Sequence, residues 1–377
     1  MDFSLSEEQK MLQATVRDFA KERVEPVADE IEQAEEFPRE NFRFMGELGL
    51  FGILYPPEYG GGGGDHISLV VAVEELARAC ASTADVMLSQ NACMGRICHE
   101  GNEEQKKKYL PQLIRGEKVG ADALTEAEAG SDIGNMQVTA VRDGDHYIIN
   151  GTKIFITNAP VSDIVTFCAT LPGQGRRGIT GFIVEDGTPG FKKGVKYSKV
   201  GLRSAVTGEL IFEDCRLPVS NRLGEEGQGL KAILTNIDYT RIGISAQALG
   251  ITRAVLEKSI DYSKQRVQFG KPICENQAIQ WILADIATEL EQARLLTYEA
   301  AYLADQGLPF TKTVAMAKLS ASELCMKAAV QGVQIFGGYG YMMDSPMQRY
   351  FRDAKITTIY EGTSEIQRLV IARHLLK

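Results

Sequence analysis

Glu361 is the residue of this chain best placed for proton chemistry. It closes an apolar approach, Ile359-Tyr360, and stands directly before Gly362 and a helix start where Thr363 can serve as N-cap. A carboxyl group kept from water has its pKa raised toward that of a working general base, and on that ground Glu361 is read as a catalytic base. The segment alone allows an equal reading, a loop carboxylate that merely precedes a helix. A second constellation is Asp238-Tyr239-Thr240-Arg241. At i and i+3 its aspartate and arginine share one helical face, suited either to a ligand or to an intrahelical salt bridge.

The composition limits what else this chemistry can be. With 377 residues, 44% hydrophobic and 24% charged, the chain can fill two or three domain cores. A net charge of −9 and the lack of any basic run argue against nucleic acid. The seven cysteines (80, 93, 98, 168, 215, 274 and 325) form no CxxC pair, and only four histidines accompany them, so reduced thiols and no metal site are expected. No run of about eighteen apolar residues suggests a membrane span. The first residues lack a basic region followed by an apolar stretch, which points to a cytoplasmic location.

Three compositional regions must position Glu361. Residues 1–118 read as helical: Ser6-Glu7-Glu8-Gln9 is a capping box, Leu12, Val16, Phe19 and Val24 step round one face, and helices are expected near 40–50, 66–80, 84–99 and 103–115. The glycine run 60–64 reads as a flexible turn, since no Gly-Lys-Ser context makes it a phosphate loop. In 119–224, short runs (136–141, 146–149, 153–157, 164–169, 181–184 and 209–212) alternate with Gly-rich turns and predict hairpins in a small β-barrel or sandwich. In 225–377 helices return, with Ile279, Leu283, Ile286, Leu290, Ala293 and Thr297 forming a bundle seam.

At this point the motifs match a known family. Ala123-Leu124-Thr125-Glu126-Ala127-Glu128-Ala129-Gly130-Ser131-Asp132, Gln334-Ile335-Phe336-Gly337-Gly338-Tyr339-Gly340-Tyr341 and Tyr360-Glu361-Gly362-Thr363 resemble, in order, those of the acyl-CoA dehydrogenases. The resemblance covers essentially the whole chain and is nearest the short-chain (butyryl-CoA) branch. It implies a multidomain α+β fold: an N-terminal helical domain, a middle β-barrel or sandwich, and a C-terminal four-helix bundle. It also implies FAD, an acyl-CoA substrate, and Glu361 removing the α-proton while the β-hydrogen leaves as hydride to flavin N5. The thioester carbonyl would be helped by a flavin ribityl hydroxyl and by the Glu361 backbone N–H. One branch carries its base just before the arginine of Asp-x-x-Arg; that position here is Thr240, which cannot act as a base.

Carried over residue by residue, Leu124, Thr125, Ser131, Phe155, Ile156 and Thr157 are expected at the flavin, with Phe155 where many relatives have Trp. Without the resemblance Phe155 reads as a strand residue in the barrel core. Arg266, Phe269, Gln277, Gln334, Gly337 and Gly338 are expected to serve the FAD of a neighbouring protomer, the arginine fork suiting its diphosphate. Thr363 and Glu365 complete the set, although a carboxylate at 365 cannot donate unless protonated. Ser131, Asp238, Arg241 and Gly362 are expected at the substrate.

Gln90 and Asn91 depart from the straight-chain pattern, being polar on the helix that floors the acyl pocket. They bind a substrate group or an internal water, or else face solvent. Arg96 is expected at the surface, the other reading being that it answers a distal carboxylate of the substrate. A homotetramer and reoxidation by an electron-transferring flavoprotein are implied; NAD is not, since no strand-GxGxxG-helix element occurs. The alternatives are a glutaryl-CoA-type dehydrogenase, an acyl-CoA oxidase, a flavin monooxygenase and a non-catalytic flavoprotein scaffold.

Overall fold

The computed structural model describes residues 4–376. Six helices come first: α1 (Glu7–Phe19), α2 (Ala28–Ala34), α3 (Arg39–Glu47), α4 (His66–Ala79), α5 (Ala81–Glu100) and α6 (Glu103–Ile114). The expected capping box opens α1: Ser6 Oγ accepts from Gln9 N at 3.1 Å, and Gln9 Oε1 accepts from Ser6 N at 3.0 Å. The glycine run is not a loose turn. Gly62, Gly63 and Gly64 donate their amides to the carbonyls of Gly52, Tyr55 and Ile53 at 2.7–2.9 Å. A side chain at Gly61 would collide with the Tyr55 backbone, so glycine permits this close approach.

Strands occupy the middle: β1 (Gly120–Ala123), β2 (Thr139–Asp143), β3 (His146–Thr157), β4 (Ile164–Thr170), β5 (Ile179–Glu185), β6 (Phe191–Tyr197), β7 (Thr207–Pro218) and β8 (Arg222–Leu223). They form one sheet in the order β6-β7-β3-β2-β4-β5-β8, with β1 parallel to β4. Its inner face packs aromatic rings, Phe167 on Phe212 at 4.5 Å and Tyr147 edge-on to Phe182 at 5.0 Å. The two runs expected at 146–149 and 153–157 are one strand, β3. Its pairing with β7 slips twice, between Ile149 and Gly151 and between Lys153 and Ile156. Such bulges re-aim side chains.

The remaining helices are α7 (Gly229–Gln265), α8 (Gln277–Asp305), α9 (Thr311–Phe336), α10 (Pro346–Thr357) and α11 (Ser364–Leu375), with the hairpin β9 (Val267–Gln268) and β10 (Lys271–Pro272) after α7. On α8 the predicted seam buries Ile286, Leu290, Ala293 and Thr297, while Ile279 and Leu283 are only half-buried. Alanines of α7, α8 and α9 (Ala246, Ala293, Ala328, Ala329) let these helices approach closely in the bundle core.

Candidate active site

Glu361 sits between α10 and α11 in left-handed backbone, φ 53°, followed by Gly362 at φ 90°. A non-glycine residue in that region is strained, and surrounding contacts must impose it. Three helices supply them. Arg241 Nε of α7 donates to the Glu361 carbonyl at 3.0 Å, Lys318 Nζ of α9 to the Gly362 carbonyl at 2.7 Å, and Gln367 Nε2 of α11 to both, at 3.1 and 2.9 Å. Thr363 caps α11, accepting from Ile366 N at 3.3 Å. With its carbonyl so fixed, half-buried Glu361 turns its carboxylate to Thr240, whose hydroxyl donates to Oε2 at 2.7 Å. The Glu361 N–H meets no acceptor among the described residues.

Lys318 was not anticipated. It lies mid-helix in α9 with 0% exposure, and burial pulls its pKa down to about 8 against the opposing pull of Glu361. No sequence pattern announces it, because its partner lies 44 residues on in a loop.

A second group gathers at the end of β1 and β3. Ile154 N donates to the Thr125 carbonyl at 2.9 Å, bringing Leu124 and Thr125 beside Phe155, Ile156 and Thr157. Lys153 fastens this edge: fully buried, its Nζ donates to the Leu124 carbonyl at 3.0 Å and to Glu126 Oε1 at 2.7 Å. Glu126 in turn accepts from the amides of Gln137 and Val138. Phe155 is not a core strand residue. At the second bulge it takes φ 57°, so its ring projects outward, 63% exposed, while Ile156 turns inward. Ser89 Oγ of α5 donates to the Thr157 carbonyl at 3.2 Å and anchors the edge to the helical domain. Ser131 and Glu365 are exposed, and the Glu365 carboxyl is held below the usual range by its own backbone amide and by Thr363.

Several expectations change. Gln90 has nothing left for a substrate: Nε2 donates to the carbonyls of Leu113 and Lys118, and Oε1 accepts from Gly120 N at 2.6 Å, so it ties α5 to the start of β1. Asn91 keeps a side-chain amide enclosed without a partner among the described residues. Arg96 is not a surface residue. It is fully buried, paired with Glu100 and 3.6 Å from Asp122, whose pKa burial raises to about 6. Asp238 and Arg241 do form the intrahelical salt bridge, at 2.9 Å, and Asp238 accepts from Thr311 at 2.6 Å. At 6% exposure, Arg241 has two nitrogens taken up by Asp238 and the Glu361 carbonyl, so it also holds the Glu361 loop.

Arg266, Gly337 and Gly338 line a separate groove of about 580 Å³ with Tyr262, Phe336 and Tyr339. The Arg266 guanidinium lies 5.6 Å from the Tyr339 ring centre. Gly337, at φ 62°, and Gly338 leave open space where a side chain would stand. Phe269 at the tip of the β9–β10 hairpin is fully exposed, and Gln277 and Gln334 are exposed as well.

Family models for the N-terminal, middle and C-terminal domains of acyl-CoA dehydrogenases match residues 6–117, 121–215 and 227–376. The chain belongs to the acyl-CoA dehydrogenase family. A short-chain-specific acyl-CoA dehydrogenase of Clostridium acetobutylicum is 47% identical, with both chains fully covered. The structure of butyryl-CoA dehydrogenase from Megasphaera elsdenii superposes with TM-score 0.98 at 43% identity, again over all of both chains. A chain solved in work on the electron transferring flavoprotein of Acidaminococcus fermentans and flavin-based electron bifurcation does so with TM-score 0.98 at 45% identity, over all of both chains. Acyl-CoA dehydrogenases are FAD-dependent enzymes, and relatives of this acyl-CoA dehydrogenase include short-chain and butyryl-CoA enzymes. No helix of the described residues is long and apolar enough to cross a membrane, and no group of His, Cys, Asp and Glu among them is arranged to hold a metal.

Proposed function

We propose that this protein oxidises a short acyl-CoA thioester to the trans-2-enoyl-CoA, with Glu361 as the base that removes the α-proton. The supporting observation is the left-handed Glu361 itself, which offers a carboxylate held by Thr240 and an N–H without an acceptor among the described residues. An α-proton beside a thioester is a very weak acid, so its removal needs both a base and a donor at the carbonyl oxygen. One residue supplies both. Arg241, Lys318 and Gln367 hold the loop so that neither group has to be reorganised during the reaction.

FAD fits the second group. The outward Phe155 ring offers an aromatic wall, and Leu124, Thr125 and Thr157 offer polar groups on the same edge. When bound there, FAD supplies the acceptor for the hydride from the β-carbon. Arg266, Phe269, Gln277, Gln334, Gly337 and Gly338 serve the diphosphate and adenosine of a neighbouring protomer's FAD in a homotetramer. The fully exposed Phe269 and the 63% exposed Trp281 are apolar surface that such an assembly covers. Electrons then pass to an electron-transferring flavoprotein. A glutaryl-CoA-type reading finds less support, since Arg96, the cation on α5 that could answer a distal carboxylate, is bound to Glu100.

The test is an anaerobic titration of the yellow holoprotein with butyryl-, hexanoyl-, isobutyryl-, cyclohexanecarboxyl- and glutaryl-CoA, following loss of the flavin absorbance. Rapid bleaching by the short thioesters is expected; no bleaching by any of them contradicts the reading.

A further inference from the structure

Asn158 lies where three elements converge, and the chemistry above does not use it. It follows Thr157 at the end of β3, is fully buried, and holds left-handed backbone at φ 66°. Its Nδ2 donates to the Gly120 carbonyl of β1 at 3.1 Å and, more weakly, to the Val86 carbonyl of α5 at 3.4 Å. Its own N–H donates to the Val206 carbonyl ahead of β7 at 2.8 Å, and its carbonyl accepts from Val161 N at 3.0 Å. Both groups facing the amide nitrogen are carbonyls, which fixes the orientation of the amide and leaves Oδ1 enclosed without a donor among the described residues. An enclosed acceptor of this kind costs stability. What the side chain returns is a tie between α5, β1 and the Phe155–Thr157 edge.

That tie matters because α5 stands between the two halves of the site. On one face, the carbonyls of Ala81 and Ala92 accept from Gln247 and Asn236 of α7, at 2.9 and 3.3 Å, and Leu88 packs on Gly243, where a side chain would collide with it. The same α7 carries Thr240, which holds the Glu361 carboxylate. On the other face, Val86, Ser89, Gln90 and Cys93 follow at helical spacing against the sheet. Ser89 holds the Thr157 carbonyl, Gln90 holds the Gly120 N–H, and a side chain at Gly120 would stand 3.0 Å from Cys93 Cβ. Gly120, which opens the strand leading into Leu124 and Thr125, is thus gripped at its N–H by Gln90 and at its carbonyl by Asn158. Residues 155–158 include two left-handed residues other than glycine, Phe155 and Asn158, a conformation that surrounding contacts must impose. Apolar packing of α5 on the sheet is non-directional and leaves the register open; the hydrogen bonds close it.

We propose that Asn158 is a positioning residue for the oxidation step. Its amide locks the Phe155–Thr157 edge and the start of β1 to α5, and so sets the spacing between that edge and Glu361 through α5 and α7. This rests on Glu361 being the base and on the Phe155–Thr157 edge being the seat of the flavin. A displacement of about 1 Å between reacting groups costs up to about a hundredfold in rate.

The experiment uses the holoprotein as wild type, Asn158→Gly and Asn158→Asp. Glycine keeps the left-handed backbone and removes the amide; aspartate keeps the shape and sets an acceptor against the carbonyls of Val86 and Gly120. Either variant suffices if the other does not fold. Anaerobic rapid mixing with butyryl-CoA gives the limiting rate of flavin bleaching and the thioester dissociation constant. Both variants are expected to lose about 10- to 100-fold in the limiting rate, while the dissociation constant moves by less than about threefold. Amide hydrogen exchange of the same proteins without substrate is expected to quicken at residues 119–123 and 156–159 and to stay unchanged in α8 and α9. A wild-type limiting rate in flavin-replete variants overturns the proposal, as does unaltered exchange at both segments. A loss confined to thioester or FAD binding overturns it too, since that marks a merely structural amide. Wild type that no thioester bleaches overturns the reading of Glu361 and this proposal with it; a bleached wild type with unaffected variants overturns the role of Asn158 alone.

Discussion

Thr240 Oγ1 donates to Glu361 Oε2 at 2.7 Å, across 121 residues of sequence. On the proposed reading of Glu361 as the base, this hydroxyl aims it. The aiming role predicts that Thr240→Val lowers the rate of flavin reduction by about 10- to 100-fold, the worth of one hydrogen bond to a charged group. Flavin content stays normal, since Thr240 touches none of the residues expected to hold it. Rapid-mixing kinetics with butyryl-CoA measures this; an unaltered rate removes the role of Thr240.

Lys318 ties the pH dependence of stability to the same loop. Its folded pKa, about 8, lies below the ordinary 10.5, so between these values the unfolded chain binds the extra proton. The cost of burying the ammonium is thus fully present below pH 8 and disappears as pH rises toward 10.5. Lys318→Met lacks that titration. The stability of wild type relative to the variant is expected to improve by about 2–3 kcal/mol across this window, measured by urea unfolding at pH 7.5 and 10. At pH 7.5 the variant is also expected to lose about tenfold in kcat, because the Gly362 carbonyl has lost a donor.

Lys153 and Glu126 form a buried pair, at 0% and 4% side-chain exposure, behind the Leu124–Thr125 edge. Removing one partner strands the other charge. Lys153→Met is expected to cost about 3–5 kcal/mol in urea unfolding and to weaken flavin retention on dilution. Adding Glu126→Gln neutralises the stranded acid while keeping an acceptor for the amides of Gln137 and Val138, and recovers part of the loss.

Local patterns carried much of this structure. The capping box at Ser6, the Thr363 cap, and the α4, α5 and α6 periods each depend on residues within a few positions of one another, and the structure places them within a few residues of the expected bounds. What escaped depends on distant partners. The strand β6, residues 191–197, buries only Phe191 fully and lacks an apolar run to announce it. Phe155 owes its outward ring to a bulge that no alternation predicts. Arg96 and Gln90 look like solvent-facing residues until Glu100, Asp122 and three backbone groups from neighbouring elements are brought around them. Lys318 is an ionisable group on an otherwise apolar helix face, visible only once Gly362 is in place.

The most direct measurement is anaerobic flavin bleaching by butyryl-CoA in Glu361→Gln beside wild type. The amide fills the same space and leaves the backbone N–H of residue 361 in place but cannot take a proton. The variant is expected to retain FAD and to bind the thioester, seen as a shift of the flavin spectrum, while its bleaching slows by at least about three orders of magnitude. Bleaching at the wild-type rate in a flavin-replete Glu361→Gln protein contradicts the account.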